Sequence, residues 1–244
     1  MNPKPHHPLV FLFLALFSLQ GTLLAIPVRL LAWDDAVAAR KIAFQNGTTV
    51  VEVADLHPNK RSDALDGGTG GSPLQLVALD RDSKDGKPVA VEIKLAAGIL
   101  KPLVLILPDP KHPTGLRPFV VEDDATNFGW GTIRFINATG KALLVRHDKT
   151  IKKLPAAWTP VDVDPGGEAR NTGVQVAMPE DIKSILYSAV WEHDPEIRKL
   201  VFVVPGREAR TGVVEFKIIP EDRRTLAPAA PPADAPAEVP AASE

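Results

Sequence analysis

The sequence predicts an all-β protein, an antiparallel β-sandwich with minimal helix, built either as two immunoglobulin-like halves or as one large sandwich. Three observations carry this. Short apolar segments alternate with polar positions, breaks containing Gly, Asn, Asp or Pro separate them at regular intervals, and a single short stretch reads as helix. Residues 130–145, WGTIRFINATGKALLV, give the pattern most clearly. Alternation, a polar break at 138–141 and a second apolar run predict a β-hairpin there. Ile133 and Phe135 would face the core, and Thr132 and Arg134 a wetter side.

Taken in order, residues 26–33 alternate as a first strand, and Asp34 offers an N-cap for one or two helical turns over 35–40. Residues 42–45 and 48–53 flank Asn46-Gly47, a dipeptide suited to a tight turn with two positive φ values. A long irregular connection follows, LHPNKRS at 56–62 and DGGTGGS at 66–72. Its glycines precede a strand pattern and no Gly-Lys-Ser/Thr, so a flexible loop is expected over a phosphate cradle. Strands are expected over 74–79, 89–95, 102–107 and 116–121. The acidic run Glu122-Asp123-Asp124 reads as a solvated turn and marks the division of the chain. Beyond 130–145, strands are expected over 150–154, 159–163, 173–178, 184–192, 200–204 and 213–219. Apolar residues on both faces of 184–192 predict a central strand.

The expected organisation is a signal peptide over 1–25, an N-terminal β domain over 26–124, a C-terminal β-sandwich domain over 125–222 and a disordered Pro/Ala-rich tail over 223–244. Lys4 and two histidines precede the apolar run 9–19, and Gln20, Gly21 and Thr22 end it. That is the n-region, h-region and polar break of a secretory signal, with cleavage expected after Ala25. The run is shorter than the roughly 20 apolar residues a span requires, so no stable membrane span is expected after cleavage.

Composition narrows the function classes. With 28 basic and 30 acidic residues the formal net charge is −2, so no overall basic field exists to hold nucleic acid. The chain has no cysteine, which removes disulfides, thiol nucleophiles and cysteine-ligated zinc. Export without cysteine favours a bacterial envelope or extracellular setting. Asn46 and Asn137 begin N-x-T sequons at expected turns, where Asn is common in any case.

Few residues suggest chemistry. Asp80, Asp82 and Asp85 share a loop, but Lys84, Gly86 and Val91 stand where a calcium loop needs other residues. No HxxxH or GxSxG occurs; His147-Asp148 with His193-Asp194 is the first pair for a metal site, against ordinary solvated histidines near strand ends. The candidate ligand-binding residues are Trp130, Trp158, Tyr187 and Trp191, since exposed rings on a sandwich face stack on sugars or anchor a partner, whereas inward rings belong to the core. Basic residues in LHPNKRS, with Arg207 and Arg210, offer loop positions for an anionic polymer.

The set VRLLAWDDAVAARKIAF, LHPNKRS, KPLVLILP, GTIRFINATGKALLV and RKLVFVVPG resembles uncharacterised exported β-sandwich proteins of bacteria. The resemblance covers most of the mature chain and implies no activity and no functional residues. In size the chain is also similar to periplasmic pilus chaperones, but that family's basic anchor residues and signature strands are not evident. The expectation is an exported, non-enzymatic envelope or periplasmic structural or binding module. It needs no cofactor, and its partner would be an envelope protein or a polysaccharide. A carbohydrate-binding module and a metal-dependent hydrolase stand as alternatives.

Overall fold

The computed structural model describes residues 25–226 except 70, 83–84 and 208–211. Residues 1–24 of the expected signal segment, with His6 and His7, as well as Arg210 and the Pro/Ala-rich stretch from 227, lie outside the described residues. What is described is mostly β-strand, in four mostly antiparallel sheets. The first set of strands is β1 (Pro27–Ala32), β2 (Ile42–Asn46), β3 (Thr49–Glu52), β4 (Leu65–Asp66), β5 (Leu74–Asp82), β6 (Pro88–Ile93), β7 (Pro102–Pro108) and β8 (Leu116–Glu122). The second is β9 (Ile133–Asn137), β10 (Leu143–His147), β11 (Thr150–Leu154), β12 (Val161–Val163), β13 (Arg170–Met178), β14 (Asp181–His193), β15 (Ile197–Pro205) and β16 (Val214–Asp222). Among the described residues one short α-helix, α1 (Asp35–Ala38), is capped as its sequence requires, with the Val37 amide donating to the Asp34 carboxylate. Arg223–Thr225, expected to begin a disordered tail, instead form a 3-10 turn in which Arg223 and Arg224 pair with Glu196 and Asp194.

The sheet orders are β4-β1-β7-β8 and β3-β2-β5-β6 in the first set, and β12-β9-β15-β16 and β11-β10-β13-β14 in the second. Adding eight to each strand number of the first set gives the second. Even the parallel pairs correspond, β1 with β7 and β9 with β15. The fold is therefore an internal repeat, and register fixes the equivalences. Leu30 lies opposite Val104, as Phe135 lies opposite Val201, so KPLVLILP at 101–108 aligns with RKLVFVVP at 198–205. By the same reasoning Arg29 corresponds to Arg134, Asn46 to His147 and Asp123 to Glu221.

Three apolar clusters follow. One is aliphatic apart from Phe44 and lies between the two sheets of the first set, with Val28, Leu30, Ile42, Leu76, Val104 and Ile106 among its members. A second lies between the sheets of the other set, around Phe135, Val145, Val176, Trp191 and Val201. The third joins the sets: Leu31, Leu103, Leu105 and Val121 pack with their equivalents Ile136, Leu200, Phe202 and Ile219. Each set thus offers the same face to the other, the self-complementary packing that characterises a two-fold dimer interface. Alternation along β1 and β7 sends odd positions to this interface and even positions to the set's own core.

This arrangement corrects three local expectations. Residues 130–145 do not form a hairpin: β9 and β10 belong to different sheets, and the break at 138–141 carries the chain from one to the other. The buried Asn137 side chain holds that corner, donating to the Lys141 and Leu154 carbonyls at 2.7 and 3.1 Å and accepting from the Thr139 amide and hydroxyl. Every residue of β9 is buried, because the expected wetter face is the interface between the sets. Finally, β14 is an edge strand rather than a central one. A bulge beyond Val176 shifts the pairing, so Leu186 turns to the core while Ile185 is exposed; that shift, together with the exposed Val190 on the outer face, put apolar residues on both faces of the pattern. At Asn46-Gly47 the hairpin forms as expected, but its loop residues are Gly47 and Thr48, and Gly47 alone takes positive φ.

Candidate functional site

At one end of the interface the repeat places ionisable residues where apolar ones run out. Arg29 precedes Leu31 by two positions on β1, and Arg198 precedes Leu200 by two on β15. Asp123 follows Val121 by two past β8, and Glu221 follows Ile219 by two on β16. All four therefore project on the interface side. Arg61 arrives from LHPNKRS, which is not a free loop: the Ser62 hydroxyl accepts from the Leu30 amide, the Ser62 amide donates to the Leu30 carbonyl, and the Ala32 amide donates to the His57 carbonyl. The segment runs along β1 and delivers its arginine inward.

Arg61 grips Asp123 with two hydrogen bonds, Nε to Oδ2 at 2.8 Å and Nη2 to Oδ1 at 3.0 Å. Arg198 donates to Glu221 through Nε at 2.7 Å and to the Asp123 and Phe128 carbonyls through Nη1 at 2.8 and 3.1 Å. Arg29 reaches across the interface to Glu221 and lies 3.5 Å from Asp123. Arg61, Asp123 and Arg198 are 6%, 4% and 3% exposed. Ion pairs so withdrawn from water repay their desolvation only when the remaining donors and acceptors are met. Here they are incompletely met: three guanidinium groups share two carboxylates, and Arg29 Nε and Arg61 Nη1 are buried without an acceptor. Burial holds the Arg29 guanidinium below its ordinary value. Arg61 and Arg198 push the same way, against Glu221 and Asp123.

Around this cluster lies further support. The Arg198 guanidinium sits 5.0 Å from the ring centres of both Phe128 and Trp130, and Arg134 sits 4.5 Å from Phe128. Arg134 itself pairs with Asp162 at 2.6 Å and donates to the Glu122 and Asn127 carbonyls. Asp124 accepts from the Thr126 hydroxyl and amide and pairs with Lys101 at 3.2 Å. These bonds, that to the hydroxyl first, hold its carboxyl down at about 2. The run 122–124, expected as a solvated turn, is thus largely internal: Asp123 and Asp124 are buried, and the Glu122 carboxylate accepts from the Leu100, Lys101 and Asp124 amides. Against the cluster opens a cleft of about 150 Å³ lined by Arg29, Lys101, Asp123, Trp130, Arg198 and Leu226 among others.

The four aromatic candidates do not share a surface. Trp191 is buried, and with the half-buried Tyr187 it packs in the second core against Phe216 and Phe135. Its indole donates to the Tyr187 hydroxyl at 2.9 Å. Trp158 fills the opposite end of the interface with Trp33, Phe119 and Phe202. Trp130 alone borders the cleft, half-buried. Among the described residues no row of rings faces water for a sugar to stack upon.

The structure does bring His147 and His193 into one environment, both buried rather than solvated. The Thr172 hydroxyl donates to the Trp191 carbonyl at 2.9 Å, so His147 Nε2, 3.2 Å away, carries the proton of their contact. Burial first, then the charges of His193, Arg170 and Lys199, lower the His147 value against the opposing Asp148. Among the described residues no three His, Asp or Glu side chains converge as metal ligands. Asp80 of the acidic loop is engaged by Arg40.

Sequence reading missed Arg29, Arg198, Asp123 and Glu221 as a group. One signal points to part of the group: aligning 101–108 with 198–205 exposes the repeat and sets Lys101 at the position equivalent to Arg198, whereas Arg29, Asp123 and Glu221 lie outside the aligned stretches. No protein-family model matches the chain, and no curated protein is significantly similar to it.

Proposed function

We propose that the chain is an exported, non-enzymatic module of the bacterial cell envelope, periplasmic or secreted, that binds at the junction of its two strand sets. The observation that carries the binding part is the cleft beside the buried arginine–carboxylate cluster. It combines an indole, a mostly exposed lysine and cationic groups in excess of their partners. Buried charges cost stability that apolar residues would not, so their concentration at one junction supports a role besides holding the fold. The export part rests on the N-terminal apolar run and the lack of cysteine. Fractionating bacterial cells that express the full chain, followed by N-terminal sequencing, tests it. The expected result is protein outside the cytoplasm beginning at Ile26. Full-length protein retained in the cytoplasm overturns the reading.

A further inference from the structure

We infer that the cleft at the charged end of the junction binds a small organic acid, a carboxylate carried on a flat apolar body. The inference rests on the reading of this junction as a binding face and names its ligand chemistry.

The charge of the lining comes first. Arg29, Lys101 and Arg198 border the cleft and Asp123 is the one acid among its lining residues. Lys101 pairs with Asp124, but its side chain is 58% exposed and leaves donors open to water. Deeper in the cluster three guanidinium groups share two carboxylates, and two of their N–H groups have no acceptor. Of these arginines Arg29 lines the cleft with 25% of its side chain exposed, so an arriving carboxylate meets a guanidinium from a cluster in which cations outnumber acids.

The walls argue for the rest of the ligand. Pro27, Pro102, Ala125 and Leu226 line the cleft together with Trp130, so apolar surface outweighs polar. Arg198 already lies 5.0 Å from the indole centre, which places a cation and a π-face side by side. The volume of about 150 Å³ matches cavities that accept a benzene ring. Bare phosphate would satisfy the cations but leave the apolar walls wet, and a neutral ring would do the reverse.

Titration of the whole protein with benzoate, benzamide and inorganic phosphate separates these cases. The readout is the Trp130 indole N–H resonance, assigned by its loss in Trp130→Phe. The inference expects benzoate to shift that resonance with a Kd of about 1 mM or tighter, and benzamide and phosphate to bind far more weakly. Lys101→Met removes a largely exposed charge and leaves the fold intact, so it should weaken benzoate by about two- to fivefold, the value of a rim ion pair. No benzoate shift, equal shifts with benzamide, phosphate binding as tight as benzoate, or unchanged affinity in Lys101→Met overturns the inference. An exported protein that ignores benzoate ends this inference and leaves export standing. A protein retained in the cytoplasm that binds benzoate does the opposite.

Discussion

Arg29 and Arg134 occupy equivalent places in the two strand sets, yet their surroundings differ. Arg134 pairs within its own set, with Asp162 on the neighbouring strand, and donates to the Glu122 carbonyl at the end of β8 and the Asn127 carbonyl in the connection that follows. Arg29 has no such neighbour: it crosses to Glu221 and shares Asp123 with Arg61 and Arg198. The cores differ as well. Phe44 is the lone buried ring of the first, whereas Phe135 and Trp191 anchor the second with Tyr187 and Phe216 beside them. One backbone register therefore tolerates different interior chemistry, because each core needs only its volume filled. Charge is less exchangeable. A buried guanidinium requires acceptors at fixed distances, and the position holds Arg in both sets while the partners have been rebuilt around it.

The largest expected effect breaks this comparison at the acids. Asp123→Ala deprives Arg29, Arg61 and Arg198 of a shared carboxylate and should cost about 3–5 kcal/mol, as removing one partner of a buried pair does. Asp162→Ala removes the acid of the equivalent arginine, but that carboxylate is 36% exposed and water can replace it. A loss of about 1 kcal/mol is expected there. Urea denaturation of both variants measures the difference. Equal losses would mean that the two arginines depend on their acids alike despite unequal burial.

A smaller effect separates the sets by pH. His147 stands where the first set has Asn46, and its folded state favours the neutral ring. A group lowered in this way contributes stability that is whole above its ordinary value near 6.5 and is lost as pH falls below it. The urea midpoint should therefore fall between pH 7.5 and pH 5, and His147→Asn should flatten that slope. Asp124, held at about 2, acts in a separate window, losing its contribution only as pH falls from its ordinary 3.8 toward 2. A wild-type slope unchanged in His147→Asn would exclude this histidine as its source.

Strand positions were legible from the sequence because alternation and turn residues are local signals: β1, β2, β7, β8 and β11 fall within a residue or two of expectation. Pairing was not. The corner at 138–141 has the composition of a hairpin turn, and only the partners of β9 and β10 reveal a change of sheet. The two-residue strand β4 is too short for periodicity to register. Burial of Asp123 was illegible for a related reason, since neighbouring acids read as solvated unless the arginines that meet them, at positions 29, 61 and 198, are known to converge. The glycine stretch reads as flexible by composition. Yet a side chain at Gly67 would come within 2.7 Å of the Ile26 carbonyl and of Val28, so packing against β1 requires the residue.

The smallest effect sharpens the equivalence at its most local point. Gly47 and Asp148 open the same two-residue loop, with φ of 57° and 50°, and their amides donate to equivalent carbonyls at Pro73 and Gly173. Aspartate tolerates the left-handed region better than most side chains. Asp148 also gains from it, since its carboxylate accepts from the Gly173 amide at 2.8 Å and lies 3.6 Å from Arg170. At Gly47 the equivalent of Gly173 is Pro73, which has no amide hydrogen to offer, and a Cβ would meet the Ser72 hydroxyl at 3.2 Å. Gly47→Asp should therefore destabilise by about 1 kcal/mol, carrying the strain without the bond. Asp148→Gly should stay within about 0.5 kcal/mol of wild type, because relief of strain offsets the lost hydrogen bond. Thermal melts of the two variants decide it: equal shifts would show that the loops are alike in backbone and in energy, and an unequal pair in the stated order would locate the difference in one amide hydrogen.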